Sequence, residues 1–355
     1  MNDNPYLADI LTQADALGSA LSRFDPKSLM PLVDEIQNGR FDRVIMTGMG
    51  ASLYACYPGW LHMTGSGLPV IWVDTAELIH YTSDLIGDRT LLWVISQSGR
   101  SAEILALLQQ LRAQPQVVLL GTVNDLESSL AQASDYLIPI DATPEQTVST
   151  RTTVNTLAVT QLGAQLFCGQ DLTTSLDDLK QTCRAMAAYL RDWQVHLEAF
   201  EAVPGLPETL VLLGRGASVA SAYYGALVLG EASKYPAIGM QAAEFRHGPV
   251  EITKPDLTVL LFAGPLNTLS LNLRLLNDLV QYGAKACWLS VSEETDLSEE
   301  QRAAGAAVIS APRAQGIGLP IAELLPVQLL SVFIGLRFGI VPGEFKFIGK
   351  VTLSE

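Results

Sequence analysis

Basic residues are scarce in this 355-residue sequence: 22 Lys and Arg stand against 37 Asp and Glu, a formal net charge of −15. A nucleic-acid groove or an anionic membrane surface needs clustered basic side chains, so neither partner is expected. The deficit leaves room for a small anion, because backbone N–H groups and helix N-termini hold phosphate without net positive charge. Cysteine is also scarce. Cys56, Cys168, Cys183 and Cys287 show no CxxC pair and no regular framework. That excludes a disulfide scaffold, and the four are expected to be reduced and mostly buried. No group of His, Cys, Asp and Glu has metal-ligand spacing, so no metal is expected. Long apolar runs are missing too. The most apolar window, Leu324 to Val341, is broken by Pro326, Gln328 and Arg337 and reads as a buried core helix rather than a membrane span. The opening Met-Asn-Asp-Asn-Pro has neither the basic nor the apolar region of a secretory leader. A cytoplasmic location is the expectation.

What remains is a globular composition, 48% hydrophobic and 17% charged, in a chain long enough for two cores. An internal repeat accounts for the length. Gly48-Met49-Gly50-Ala51-Ser52 follows the apolar run Val44-Ile45-Met46, and Gly214-Arg215-Gly216-Ala217-Ser218 follows Leu210 to Leu213, 166 residues later. At the same offset Leu91-Leu92-Trp93-Val94-Ile95 maps onto Leu257 to Leu261. Two motifs in one register indicate two copies of one α/β unit.

Strands are predicted at 44–48, 69–74, 90–96, 116–121 and 136–140, then at 209–213, 257–262, 286–292 and 307–310. Short apolar runs separated by amphipathic helical segments predict parallel strands covered on both faces. The right-handed crossover rule then gives two tandem doubly wound sheets. The expected organisation is a helical segment at 1–40, a first domain at 41–170, a connecting helical segment at 171–206, a second domain at 207–340 and a tail at 341–355.

Ligands of such sheets bind beyond the carboxyl ends of the strands. Two loops of the first copy arrive there: Gly50-Ala51-Ser52, and Ser96-Gln97-Ser98-Gly99-Arg100-Ser101 leading into a helix near Ala102. Their hydroxyls and amide can donate to phosphate oxygens at a helix mouth. Serine also caps helices with no ligand involved. The second copy, however, reads Phe262-Ala263-Gly264-Pro265 at the matching place, without hydroxyls, and a purely structural cap gives no reason for that asymmetry. Gly214-Arg215-Gly216 is no dinucleotide fingerprint, since Val219 stands where the third glycine would fall.

At these loops the sequence resembles the sugar-isomerase (SIS) domain family, and more closely the isomerase half of glucosamine-6-phosphate synthase and its stand-alone relatives. The anchors are Gly50-Ala51-Ser52, Ser96-Gln97-Ser98-Gly99, Ser149-Thr150, Glu231, the run Ala243-Glu244-Phe245-Arg246-His247-Gly248-Pro249, and the ending Lys350-Val351-Thr352 with Glu355 last. The resemblance implies that Ser52, Ser96, Gln97, Ser98 and Ser101 hold a sugar phosphate, and that Gly50, Ala51, Ser149 and Thr150 line the sugar pocket. It implies Glu231 as the base that moves a proton between the first two sugar carbons, and Lys350 as the amine that forms a Schiff base with the open-chain ketose. His247 would assist ring opening from a neighbouring subunit, which requires at least a homodimer; no cofactor is implied. The chemistry is sensible for these residue types. A proton shift between adjacent carbons needs a carboxylate made more basic by partial burial, and imine formation needs a neutral amine. His62, His80 and His196 are expected to be structural.

Three departures bear on the substrate. The chain starts Met-Asn-Asp and its first cysteine is Cys56, so no N-terminal cysteine nucleophile for glutamine hydrolysis is expected. Val228 stands where many members carry lysine, and Tyr224 where glutamate is common. These changes fit a relative that runs in the releasing direction. One reading is an amino-sugar phosphate deaminase/isomerase; a second is a fructosamine-phosphate deglycase, favoured by a wider, more polar pocket near Val228 and Tyr224. A third, of a different class, is a sugar-phosphate sensor without turnover, for which the short acidic N-terminal segment offers no DNA-binding module.

Overall fold

Ten parallel strands carry the chain in a computed structural model that describes residues 3–113, 116–202, 210–303, 305–347 and 349–352. β1 (Arg43–Gly48), β2 (Val70–Asp74), β3 (Thr90–Ser96), β4 (Val118–Val123) and β5 (Tyr136–Pro139) form one sheet in the order β2-β1-β3-β4-β5. β6 (Leu210–Gly214), β7 (Ala237–Gln241), β8 (Thr258–Phe262), β9 (Lys285–Leu289) and β10 (Ala307–Ile309) form the other, in the order β10-β9-β8-β6-β7. Read from β7, the second order repeats the first, so the duplication inferred from sequence is a duplication of topology.

The inner strands are buried along nearly all of their length because helices cover both faces of a parallel sheet; only Arg43 and Lys285, the first residues of β1 and β9, are partly exposed. Every residue of β3 and of β8 is buried. Ile45, Leu92, Val94 and Leu119 of the first sheet belong to one apolar cluster with Ile104 of the helix Ala102–Leu111; in the second sheet Val211, Leu213, Val259, Leu261 and Trp288 do the same. The indole N–H groups of the buried tryptophans find partners, Trp93 on Thr122 Oγ1 at 2.8 Å and Trp288 on the Thr295 carbonyl at 2.9 Å.

Two compact units result, one of Ala16–Glu145, Arg151–Asp177 and Lys346–Glu355 around the first sheet, the other of Met1–Asp15, Gln146–Thr150 and Asp178–Phe345 around the second. The amino-terminal segment is helical at Pro5–Leu11, Gln13–Arg23 and Met30–Gln37, and the connecting segment at Thr173–Arg191 and Trp193–Ala199. Residues 203–209, which include the start of the strand predicted at 209–213, lie outside the described residues, as does Glu355.

The strand prediction omitted β7. Its sequence Ala-Ile-Gly-Met-Gln is interrupted by Gly239, which breaks the apolar pattern. That glycine is needed: a Cβ there would lie 2.4 Å from the Ala222 carbonyl oxygen of the helix Ser218–Ser233 packed on the strand. β4 begins two residues later than predicted, and β9 ends at Leu289 rather than at residue 292. The apolar window near the end forms the helix Leu319–Arg337, which contains Pro326 and is buried from Pro320 to Val332. With the preceding turn it is long and apolar enough to cross a membrane by length and composition, yet 83% of its apolar window is buried within the fold. Of the cysteines, Cys56 and Cys287 are buried and Cys168 and Cys183 partly so; all four are free.

Candidate active site

In the order β2-β1-β3-β4-β5 the chain leaves β1 toward one edge, returns, and continues from β3 toward the other. The crevice between the carboxyl ends of β1 and β3 is therefore the topological switch point, where ligands of open α/β sheets bind. Gly48 is in register with Ile95, so the two predicted loops leave neighbouring strands side by side. Ser52 follows β1, half-buried, as the second residue of the short helix Ala51–Ala55. Gly50 caps that helix at φ 50 and ψ −124, a conformation reserved for glycine.

The β3 loop is organised by its own side chains. Ser96 Oγ accepts from the Gly99 N–H at 3.1 Å and Ser98 Oγ from the Arg100 N–H at 3.2 Å. Gln97 is anchored through its carbonyl, which accepts from the Asn124 N–H at 3.1 Å. Gly99 has φ 61, and a Cβ there would lie 2.2 Å from Ser128 Oγ. Arg100, a possible phosphate partner or a solvated charge by sequence, pairs with Asp125 at 2.7 Å and donates to the Glu127 carbonyl at 3.0 Å. Ser101 is the N-cap residue of the helix Ala102–Leu111, but its side chain makes no capping hydrogen bond. Capping therefore does not account for this serine hydroxyl.

The tail reaches the same unit. The Ala102 N–H, first of the helix, donates to the Thr352 carbonyl at 3.1 Å. Two residues earlier, Lys350 Nζ lies 2.8 Å from Glu145 Oε2. The Glu145 side chain is completely buried, while that of Lys350 is 22% exposed. Thr152, at the start of the helix Arg151–Phe167, donates its N–H to Glu145 Oε1 at 2.9 Å and its hydroxyl to Oε2 at 2.8 Å. Sequence reasoning missed Glu145. It stands in the polar stretch Thr143-Pro144-Glu145-Gln146, and its only local signal is that it precedes a helix whose first N–H groups need acceptors.

The remaining predicted residues belong to the second unit. Glu231 lies in the last turn of the helix Ser218–Ser233, partly buried behind Val228 and Leu229. Lys234, C-cap of that helix at φ 56, donates its ammonium to the carbonyls of Glu231 and Glu344. His247 is exposed on the turn after Phe245; neighbouring Arg246 pairs with Asp278 at 3.0 Å. Ser149 is half-buried and Thr150 fully buried. The Tyr224 hydroxyl donates to the Ser149 carbonyl at 2.7 Å and accepts from Gln328 Nε2 at 2.8 Å. His196 has the structural role expected of it, stacked 3.7 Å from the Tyr189 ring.

The switch point of the second sheet is built differently. Arg215 Nε donates to Asn272 Oδ1 at 2.7 Å, and Asn272 Nδ2 donates to the Phe262 and Ala263 carbonyls. Ser218 and Ser221 turn inward and donate to Glu323, at 2.7 and 2.6 Å. Burial pushes the Glu323 carboxyl up to about 8, against the two serine hydroxyls that hold it down. A cavity of about 530 Å³ remains at this end, lined among others by Ala217, Gly264, Arg313 and Gln315.

The sequence is 26% identical over 98% of this chain to glutamine–fructose-6-phosphate aminotransferase of Thermococcus kodakarensis, of which it covers 58%. It is 30% identical over 84% of its length to the Thermus thermophilus enzyme of the same name, of which it covers 50%. The chain thus spans about half the length of the curated relatives it matches. Among solved structures, the C-terminal domain of the Francisella tularensis aminotransferase superposes with a TM-score of 0.83 at 20% identity, covering 95% of this chain and 96% of that one. Glucosamine-6-phosphate deaminase of Thermotoga maritima does so with 0.73 at 18% identity, covering 99% and 100%. The SIS domain model matches twice, at residues 40–165 and 207–333, one match on each sheet, and the chain belongs to the SIS domain family.

Proposed function

We propose that this chain is a phosphosugar isomerase/deaminase that interconverts an amino-sugar 6-phosphate with the corresponding ketose phosphate and ammonia. The observation that carries this reading is the serine loop after β3. It sits at the switch point, its backbone is pre-set by Ser96, Ser98 and Gly99, and the N-cap hydroxyl of Ser101 is not spent on its own helix. Helix N-termini with such donors suit a phosphate dianion. In this mechanism Ser52, Ser96, Gln97, Ser98 and Ser101 hold the phosphate, Lys350 forms the imine at C2, and Glu231 moves the proton between C1 and C2. His247 assists ring opening from a neighbouring subunit.

A deglycase would need open polar space beside Val228 and Tyr224. Both are buried, at 0% and 2% exposure, and the tyrosine hydroxyl is engaged on both sides. That favours ammonia over an amino acid as the released amine. A sensor has no use for Glu231, His247 and Lys350 together.

The test is ammonia release from glucosamine 6-phosphate, with Lys350→Ala alongside. Release by the parent and its loss in the variant support the reading. Silence from the parent, with turnover of a fructosamine 6-phosphate instead, replaces it by the deglycase.

A further inference from the structure

The buried carboxylate of Glu145 has a place in that chemistry. Resting on the Schiff-base reading of Lys350, we propose that Glu145 is the proton acceptor and donor for imine formation at that lysine. A lysine attacks a carbonyl only when neutral. Here the ammonium shares a 2.8 Å hydrogen bond with Glu145 Oε2, which gives its proton a direct path to the carboxylate. The carboxylate is held in one orientation. Thr152 fixes Oε1 through its N–H and Oε2 through its hydroxyl, and the side chain has no exposure to solvent. The tail is held on the other side of the lysine by the Thr352 carbonyl on the first N–H of the phosphate-loop helix. Three consecutive residues thus connect the phosphate cradle to the amine.

The step balances. The ammonium proton passes from Nζ to Glu145. The freed lone pair attacks C2 of the open-chain ketose, the C2–O π bond breaks, and a proton moves from nitrogen to that oxygen, giving a carbinolamine. Glu145 then returns its proton to the hydroxyl, which leaves as water as the C2=N bond forms. The carboxylate is restored and the product is a protonated imine.

Among the described residues, the other charged groups on the segments that meet here are Arg151, which donates to the Pro144 carbonyl at 2.8 Å, Lys346 on the tail, and Glu103, buried in the first turn of the helix Ala102–Leu111. None is altered in the variants below, so a changed pH profile reports residue 145.

The experiment traps the imine in the full chain with fructose 6-phosphate and borohydride from pH 6 to 10, reading intact mass and the peptide carrying Lys350. Glu145→Gln keeps the volume and the acceptor for the Thr152 N–H. Trapping at pH 7 is expected to fall at least about tenfold in this variant. It should recover as pH rises and solvent deprotonates the lysine, while Glu145→Asp retains part of the neutral-pH rate. A Glu145→Gln profile with an unmoved midpoint, whether scaled down or equal to wild type, overturns the proposal and leaves Glu145 as an anchor for the tail. If the Gln variant fails to fold, the Asp profile decides in the same way. Absence of a Lys350 adduct in the wild type removes the Schiff-base reading itself, and the role of Glu145 with it.

Discussion

Tyr224 Oη lies 2.7 Å from the carbonyl oxygen of Ser149, so a residue standing where the family often has a glutamate pins the backbone of the predicted sugar pocket. Gln328 donates to the same phenol oxygen and exchanges amide hydrogen bonds with Gln13, making a buried chain of four polar groups. Within the low-dielectric interior each link depends on the next.

Tyr224→Phe leaves the Ser149 carbonyl without this donor and Gln328 without this acceptor. A loss of about 1–3 kcal/mol is expected in urea unfolding, from one buried hydrogen-bond site left unmet. If Ser149 borders the sugar, KM for the sugar phosphate rises beyond what the stability loss explains. An unchanged KM would confine Tyr224 to a structural role.

Ser101→Ala separates capping from binding. Because the hydroxyl makes no capping bond, stability should change by less than about 0.5 kcal/mol. Affinity for a phosphate ester should fall by roughly tenfold or more, the worth of one charge-assisted hydrogen bond. Calorimetry with inorganic phosphate and with glucosamine 6-phosphate checks both halves. A destabilised variant with intact affinity would restore the capping explanation.

Glu323 predicts a pH-dependent stability. Its carboxyl is raised from 4.5 to about 8 in the fold, so the folded state keeps a proton that the unfolded state gives up. The contribution is fully present below about pH 4.5 and is lost as pH rises to 8, at on the order of 1 kcal/mol per pH unit. Glu323→Gln, an uncharged isostere facing the same serines, should flatten that part of the stability curve. Urea midpoints at pH 5, 6.5 and 8 measure it, and equal slopes for both proteins would show that Glu323 ionises normally.

Exchange of His247 between subunits is tested by complementation. Glu231→Ala and Glu→Gln variants at that position leave the histidine intact, while His247→Ala leaves the glutamate. Refolding Glu231→Ala with His247→Ala in equal amounts makes about half mixed dimers, each with one intact site if the histidine crosses over. Activity should return to about a quarter of wild type. No recovery would place both residues in one subunit's site.

Much of the fold was legible in the sequence because parallel strands buried on both faces are written as short apolar runs, and a duplicated unit writes them twice. The two Gly-rich turns after β1 and β6 and the apolar runs of β3 and β8 stand 166 residues apart in sequence, and the paired strands hold the same places in the two sheet orders. β7 was hidden by Gly239, a residue chosen for the approach of a helix rather than for the strand itself. Likewise the serine loop announced itself by composition, since polar residues crowded behind a buried strand need a reason.

Side-chain pairing across long separations carries no such local trace. Which oxygen Tyr224 would find, that Arg100 would be consumed by Asp125, and that Ser218 and Ser221 would turn toward a buried acid were settled by packing. So was the meeting of Lys350 with Glu145, 205 residues apart. The sequence alone determined the repeat, the strand pattern, the charge balance and the hydroxyl-rich loop, because these follow from residue type and spacing. Only the tertiary structure decided which buried polar groups satisfy one another, because that depends on where the folded backbone brings each donor and acceptor.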